Sequence, residues 1–399
     1  MRYFKNAVKG LFVMACAVIC VRAAQAEETP LSPSEAIKLM GGQTLITLHL
    51  KDATPLEFYS EVWRQTSLPP FNTRRMAFWR DRPLISISVT NKPFWLVIQQ
   101  VAIDYGISVG TIEDGRIEPW QSAWGTIGAS VSNGPFLFTI NNISHSTLRS
   151  VNIYSDRKQL MTDNRLLLGI NIYTDPKIPL LREATTITVT EAVNDKGVSL
   201  LPHSPLQDKV NTYEKYISHF RIPLAPQPID GGTVTELKGS IRTVIATKNS
   251  TWEINDLAHA GDVERGVEPK QLMNSTPLND VAYYTLRGVK TIDRGYSFDL
   301  AFLRSRTLLD TWAMGLAMFA DVTVVDDKGI ELTRIGGSST FGFDANDPLN
   351  EKLQRGTSHY KFLRTDKNSP DGPVKLIWKY PVEMHTVDVP FEFKDLPLP

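Results

Sequence analysis

Beyond residue 122 the chain takes up a period of two. Apolar residues recur at alternate positions in short runs: FLFTINNI at 136–143, LRSVNIY at 148–154, LLLGINIYT at 166–174 and TTITVTEAVN at 185–194. Side chains of a strand alternate between its two faces, so each run predicts a strand with one buried face. After a polar, proline-rich stretch at 202–230, read as a linker or long excursion, the pattern resumes. It appears at 233–246, 251–257, 281–289, 296–303, 318–326, 330–335, 359–363, 374–380 and 387–393. Strands that bury one face each are covered by packing sheet on sheet. The expectation is two mostly antiparallel β-sandwich domains, one over 123–220 and a larger one over 221–399. The 25 glycines and 25 prolines suit the many turns this requires.

A candidate internal repeat lies within these runs. ITVTEAVNDKGVSLL (187–201) and ADVTVVDDKGIELT (320–333) both read strand, Asp-Lys-Gly turn, strand. GPFLFTI (134–140) and YSFDLAF (296–302) lie at comparable distances upstream. Asp-Lys-Gly makes a good turn on its own; the alternative is two related sandwiches. Gly336-Gly337-Ser338-Ser339 reads as a glycine-serine turn.

Residues 44–122 mix the two periods. ITLHL (46–50) alternates. Asp52 or Thr54 then caps a helix with Pro55 at its first position. Leu56, Tyr59, Val62 and Trp63 fall at helical spacing. LISISVT (84–90) alternates again. Asn91 caps, and Pro93 starts, a second helix with Phe94, Val97, Ile98 and Val101 on one face, closed by Gly106. ISVGTI (107–112) and RIEPW (116–120) form a hairpin around Asp114-Gly115. The order is β-α-β-α-β-β, a small α+β N-terminal domain with one sheet covered on one side by two helices. Residues 27–43 read as a flexible lead-in.

The first 26 residues predict export. Arg2, Lys5 and Lys9 precede an apolar run from Leu11 to Val21, and Ala24-Gln25-Ala26 offers a small-x-small cleavage pattern. The apolar run is about half of the roughly 20 residues a membrane-spanning helix needs. The two cysteines of the chain, Cys16 and Cys20, lie in this segment. Cleavage would therefore deliver a thiol-free protein, held together without disulfides in an oxidising compartment. A minor alternative is lipidation at Cys16, since Val13-Met14-Ala15-Cys16 weakly resembles a lipoprotein processing site.

Charge and motif search narrow the chemistry. Forty-three basic residues balance 43 acidic ones, and no basic stripe marks nucleic acid as a partner. No two of the seven histidines lie within five residues of each other, so the short-range zinc motifs are absent. The G-x-S-x-G elbow, the Walker loop and the dinucleotide fingerprint are absent too. Asp344-Ala345-Asn346-Asp347 is an acidic turn without the repeat of a calcium loop. The carboxylate pairs Glu191/Asp195 and Glu253/Asp256 sit in ordinary strand or turn contexts. Glu383 and His385 share one strand face, where they could form a charge-assisted pair. No catalytic residue, metal site or cofactor is assigned. Aromatic residues crowd the first domain and its exit. Trp63 and Phe94 fit the core stripes, whereas Trp79, Trp95, Trp120 and Trp124 are candidates for a ligand surface.

One resemblance follows from these residues. LKDATPLEFY (50–59) and ISISVTNKPFWLVIQQVAIDYGISV (85–109) resemble the small N-terminal (STN-like) domain of secretins and TonB-dependent receptors, over residues 45–120. The resemblance implies a periplasmic interaction module with no active site to carry over. The chain has neither the pore-forming region nor the barrel of those proteins. The whole layout is also similar to envelope proteins of planctomycete-like bacteria, in the G-P-F at 134–136 and the closing VDVPFEFKDLPLP (387–399). The expectation is a non-catalytic periplasmic envelope protein acting in protein–protein interaction or scaffolding. The alternative is a secreted carbohydrate-binding protein or glycoside hydrolase, with glycans in place of envelope proteins as partners.

Overall fold

The structure, a computed structural model, describes residues 29–66, 68, 71, 83–111, 117–121, 129–152, 159–180, 185–201, 208–209, 216–225, 232–266, 282–305, 321–340, 353–364 and 374–399. The export segment 1–26 lies outside them. An N-terminal α/β region is followed by several mostly antiparallel β-sheets.

The stretch read as a flexible lead-in contains a helix, α1 (Pro33–Leu39). Ser32 begins it with a capping box. Its Oγ accepts the Glu35 N–H at 3.3 Å, and the Glu35 carboxylate accepts the Ser32 N–H at 2.8 Å. Two donors that a helix start leaves orphaned are thereby satisfied. Pro33 presets the first turn. The helix is too short to show a period, and the Ser-Pro-Ser-Glu cap was its readable signal. Ala36 is fully buried.

The next elements follow the expected order: β1 (Leu45–Ala53), α2 (Pro55–Arg64), β2 (Ile85–Pro93), α3 (Phe94–Tyr105), β3 (Ile107–Thr111) and β4 (Ile117–Gln121). Thr54 caps α2 through a second capping box with Glu57. Helix α3 ends at Gly106, in the left-handed conformation at φ 67°, which glycine adopts without a Cβ penalty. Two details depart from the sequence reading. Asn91 does not cap α3; it belongs to β2 at φ 49°, and the cap position falls to Pro93, which has no side-chain donor or acceptor. The strands also form two separate antiparallel pairs, β1–β2 and β3–β4, rather than one sheet.

The β-layers comprise β5 (Ser130–Asn133), β6 (Phe136–Asn152), β7 (Gln159–Thr174), β8 (Thr186–Asn194), β9 (Asp208–Lys209), β10 (Ile217–Leu224) and β11 (Thr233–Ile254). They continue with β12 (Val263–Gly266), β13 (Ala282–Ile292), β14 (Gly295–Ser305), β15 (Asp321–Val325), β16 (Thr333–Thr340), β17 (Leu353–Leu363) and β18 (Lys375–Pro397). Three sheets result, ordered β10-β7-β6-β5, β15-β18-β11-β8-β9 and β12-β13-β14-β17-β16.

The middle sheet joins the other two. β11 has 22 residues and β18 has 23, paired from Thr233↔Pro397 to Ile254↔Leu376. Near one end, Leu237, Ile241, Val389 and Phe391 pack on Phe138, Leu168, Ile170 and Phe220 of the first sheet. Near the other, Trp252, Leu376, Trp378 and Tyr380 pack on Tyr284, Phe298 and Tyr360 of the third. The core begun by residues 136–224 is therefore closed by strands from the segment after 221. The sequence reads each long strand as two. The polar run Lys248-Asn249-Ser250 breaks the alternation in β11, but it holds no glycine or proline to turn the chain. The strand continues through register shifts at Ala246, Lys248 and Asn249. β10 also falls in the stretch read as a linker.

The Asp-Lys-Gly turns repeat in detail. Asn194 Oδ1 accepts the N–H groups of Lys196 and Val198 at 3.1 and 2.8 Å. Asp326 Oδ1 accepts those of Lys328 and Ile330 at 2.9 and 2.8 Å. The strands before them, β8 and β15, lie beside β11 and β18 respectively.

Candidate functional site

The first sheet is covered on both faces. Phe136, Phe138 and Ile140 of β6 point to the middle sheet. Leu137 of β6, with Tyr216 and Ile217 at the start of β10, joins the core of the α/β region instead. Such a division is what period-two alternation produces when both faces are buried.

Polar contacts fix this junction. The Trp95 indole N–H donates to the Thr174 carbonyl at 2.5 Å. Its ring lies 4.9 Å from that of Tyr173 and 4.9 Å from Phe94. Beside it, Asp175 is 2% exposed. Its Oδ2 accepts the Thr44 N–H at 2.7 Å, and its Oδ1 accepts the Thr44 hydroxyl at 2.7 Å and the Lys177 N–H at 3.0 Å. Lys177 Nζ donates to Gly42 O at 2.9 Å. A buried carboxylate left without donors would cost several kcal/mol, roughly, whereas three donors satisfy this one. A cleft of about 220 Å³ opens here, lined by Gln43, Trp95, Ser132, Gly134 and Asp175 among others. Gln43 Nε2 donates to Gly134 O at 3.0 Å across it. The arrangement fastens the α/β region to the sheet; the carboxylate has its donors inside the protein.

Trp95 corrects the sequence reading. Expected at the surface, it is 5% exposed. The reading assumed one buried face on α3. The helix is instead covered on two, with Phe94, Val97 and Ile98 in its own core and Trp95 against β7. Trp120 lies in β4, opposite Ser108. Trp79 and Trp124 lie outside the described residues, as does the acidic turn at 344–347. The four candidates are thus not brought together on one described surface.

The Glu383–His385 pair forms as the alternation suggested. His385 Nε2 lies 3.0 Å from Glu383 Oε1, which also accepts the Thr247 hydroxyl at 2.9 Å. The His385 and Thr247 bonds hold the Glu383 carboxyl below its ordinary range. Of the nominal carboxylates, Glu191 pairs with Lys238 at 3.2 Å and Glu253 with Lys375 at 2.5 Å.

A third cluster escaped the sequence. His359 Nδ1 lies 2.7 Å from Asp299 Oδ1, and its Nε2 lies 3.3 Å from Ser297 Oγ. Ser297 and Asp299 share one face of β14, and His359 stands opposite Asp299 on β17. The order is that of nucleophile, base and orienting acid. Acyl transfer also needs donors for a developing oxyanion. β14 is paired on both sides, by β13 and β17, with the β13 register shifting between Asp299 and Ser297. Ser297 is 7% exposed. The trio reads as a polar ladder across the sheet. Sixty residues separate Asp299 from His359, and only strand register unites them.

Among the described residues no three or more His, Cys, Asp or Glu side chains converge on a metal-sized site. No helix there is long and apolar enough to cross a membrane. Compared with family models, curated proteins and solved structures, the chain matches none.

Proposed function

We propose that this chain is an exported envelope protein that works by binding other proteins, as an adaptor or scaffold. One observation carries the reading: the α/β region is fixed to the first sheet by the buried contacts Trp95–Thr174 and Thr44–Asp175. A module held in one orientation loses little further freedom on binding, which favours recognition by a preorganised surface. The likeness of residues 45–120 to the small N-terminal domain of secretins and TonB-dependent receptors supports the same reading, because those domains are interaction modules. Residues 1–26 support export.

The test is a pull-down of the tagged protein from its own envelope fraction, with the amino terminus of the purified chain read by mass spectrometry. Recovery of a defined protein partner and a start at Glu27 are the expected results. Recovery of glycans with no protein partner would replace this reading with the carbohydrate-binding one. A start at Cys16 carrying a lipid would change the mode of attachment.

A further inference from the structure

Asp175 carries a buried charge that no cation balances. Its three donors are two backbone N–H groups and a hydroxyl, all neutral. Among the described residues no ammonium or guanidinium group pairs with it. Lys177 sends its Nζ to Gly42 O at 2.9 Å instead. Fully buried carboxylates are normally paired with a cation. Neutral donors satisfy the oxygens and leave the negative charge in place. This carboxylate is also the one charged group lining the cleft of about 220 Å³ at the junction. Trp95, Leu96, Pro135 and Leu137 give the cleft apolar walls. Ser132, opposite Leu137 in the β5–β6 register, stands on the sheet face turned to the α/β region. Gln43 uses its Nε2 on Gly134 O, and its Oε1 accepts no bond among the described residues. An ionised carboxylate offers about four lone-pair sites. Oδ1 of Asp175 takes two bonds and Oδ2 takes one, so the open site is on Oδ2.

We infer that the cleft is a receptor for a single alkylammonium group, the side chain of a lysine or a small free amine. The uncompensated carboxylate sets the sign of the ligand's charge. Size sets its scale: the cleft is smaller than the roughly 300–1,000 Å³ of pockets for drug-sized ligands, so it takes one side chain. Acceptor geometry separates the two basic side chains. A guanidinium seeks both oxygens of a carboxylate in a fork, and Oδ1 is already occupied by two donors. An ammonium is a compact charge with three donors. It needs only Oδ2, and it can share its other N–H groups with Gln43 Oε1 and Ser132 Oγ. Its methylene stem then covers the apolar walls. The assignment of the cleft stands apart from the interaction reading above; only the source of the ammonium, a partner's lysine, rests on that reading.

The test uses the full chain, labelled with the heavy nitrogen isotope, and two probes. One is acetyl-lysine methylamide with its side-chain amine free; the other is acetyl-norleucine methylamide, which keeps the stem and lacks the charge. The lysine probe should shift the Thr44 amide and Trp95 indole resonances at roughly millimolar concentration. The norleucine probe should bind at least tenfold more weakly, and n-butylamine should compete with the lysine probe. Ser132→Trp fills the cleft and leaves Asp175 with its three donors. It should weaken the lysine probe at least tenfold with the circular dichroism spectrum unchanged. Equal binding of the two probes, or no shift with either, would overturn the proposal. So would undiminished binding by a folded Ser132→Trp chain. The comparison of probes needs no variant, so it decides the matter even if Ser132→Trp fails to fold. A pull-down from the envelope fraction separates the sources. A protein partner held by the wild type and lost by Ser132→Trp supplies the lysine. A partner retained by Ser132→Trp, with the lysine probe bound by the wild type, leaves the cleft to a free amine. Binding of the lysine probe with no protein partner recovered would count against the interaction reading and not against the cleft.

Discussion

Trp95 and Thr174 are 79 residues apart in sequence, yet the indole N–H of one meets the carbonyl of the other at 2.5 Å. This bond and the ring contacts around it hold α3 on β7. Trp95→Phe removes the donor and keeps much of the packing, so a loss of about 1–3 kcal/mol is expected from the unpaired carbonyl. Trp95→Ala adds a cavity and should cost about 3–5 kcal/mol. Urea denaturation of the two variants checks the order. Equal losses would mean that the packing of the ring adds nothing to the hydrogen bond, and no loss in Trp95→Phe would mean that the hydrogen bond contributes nothing.

Thr44 and Asp175 should behave as one unit. Asp175→Ala leaves the Thr44 N–H, the Thr44 hydroxyl and the Lys177 N–H without their acceptor, at a cost of about 1–3 kcal/mol or more. In a double-mutant cycle with Thr44→Val, a coupling of at least ~0.5 kcal/mol is expected. Strict additivity would show that the contact does not tie the α/β region down.

The capping boxes give the helices an acid limit. The N–H and hydroxyl of Ser32 lower the Glu35 pKa, and those of Thr54 lower that of Glu57, from an ordinary value of 4.5. A depressed folded-state pKa contributes stability that is fully present above the unfolded value and is lost as pH falls through the folded value. The protection of the Ser32 and Thr54 amides from exchange, taken relative to the intrinsic rate at each pH, should therefore fall below about pH 4.5. Glu35→Gln and Glu57→Gln should flatten that dependence, each at its own helix. A protection factor that does not change between pH 6 and pH 3 would contradict the assignment.

Gly239 sits where β11 passes between β8 and β18. A Cβ there would press on the Thr188 carbonyl oxygen and lie within 2.5 Å of the Phe391 ring. Gly239→Ala is expected to destabilise by about 1–3 kcal/mol or more through overpacking. Because β11 and β18 pass through both β cores, the loss should appear in both. Fluorescence of Trp252 and Trp378 at one end, and a probe placed near Phe220 at the other, should unfold with coincident midpoints. Separate transitions would show that the two cores are energetically independent.

Local chemistry was legible in the sequence wherever one or two turns of chain decide it. Asp52 or Thr54 with Pro55 announced α2, the structure choosing Thr54, Gly106 ended α3, and Glu383 and His385 shared a face as alternation requires. The order of elements in the α/β region and the largely antiparallel character of the rest were readable for the same reason. Partner choice was not. β10 was passed over because Pro223 and a proline-rich neighbourhood disguised Phe220, Ile222 and Leu224, which alternate into the core. Gly336-Gly337-Ser338-Ser339 read as a turn because glycine and serine favour turns locally, while pairing with β17 makes it a strand. Trp95 and the Ser297–His359–Asp299 ladder depend on contacts between distant segments, which periodicity does not encode.

Helix α1 and strand β18 share one core. Leu31 bridges to Val387, its N–H donating to Thr386 O at 2.8 Å, and Ala36 packs in the cluster with Val387, Val389 and Phe391. A ribosome adding 5–20 residues per second takes on the order of 20–70 s to pass from Leu31 to Val387. Throughout that interval the core that α1 and the first sheet share lacks β18, so it is completed only when that strand has been made.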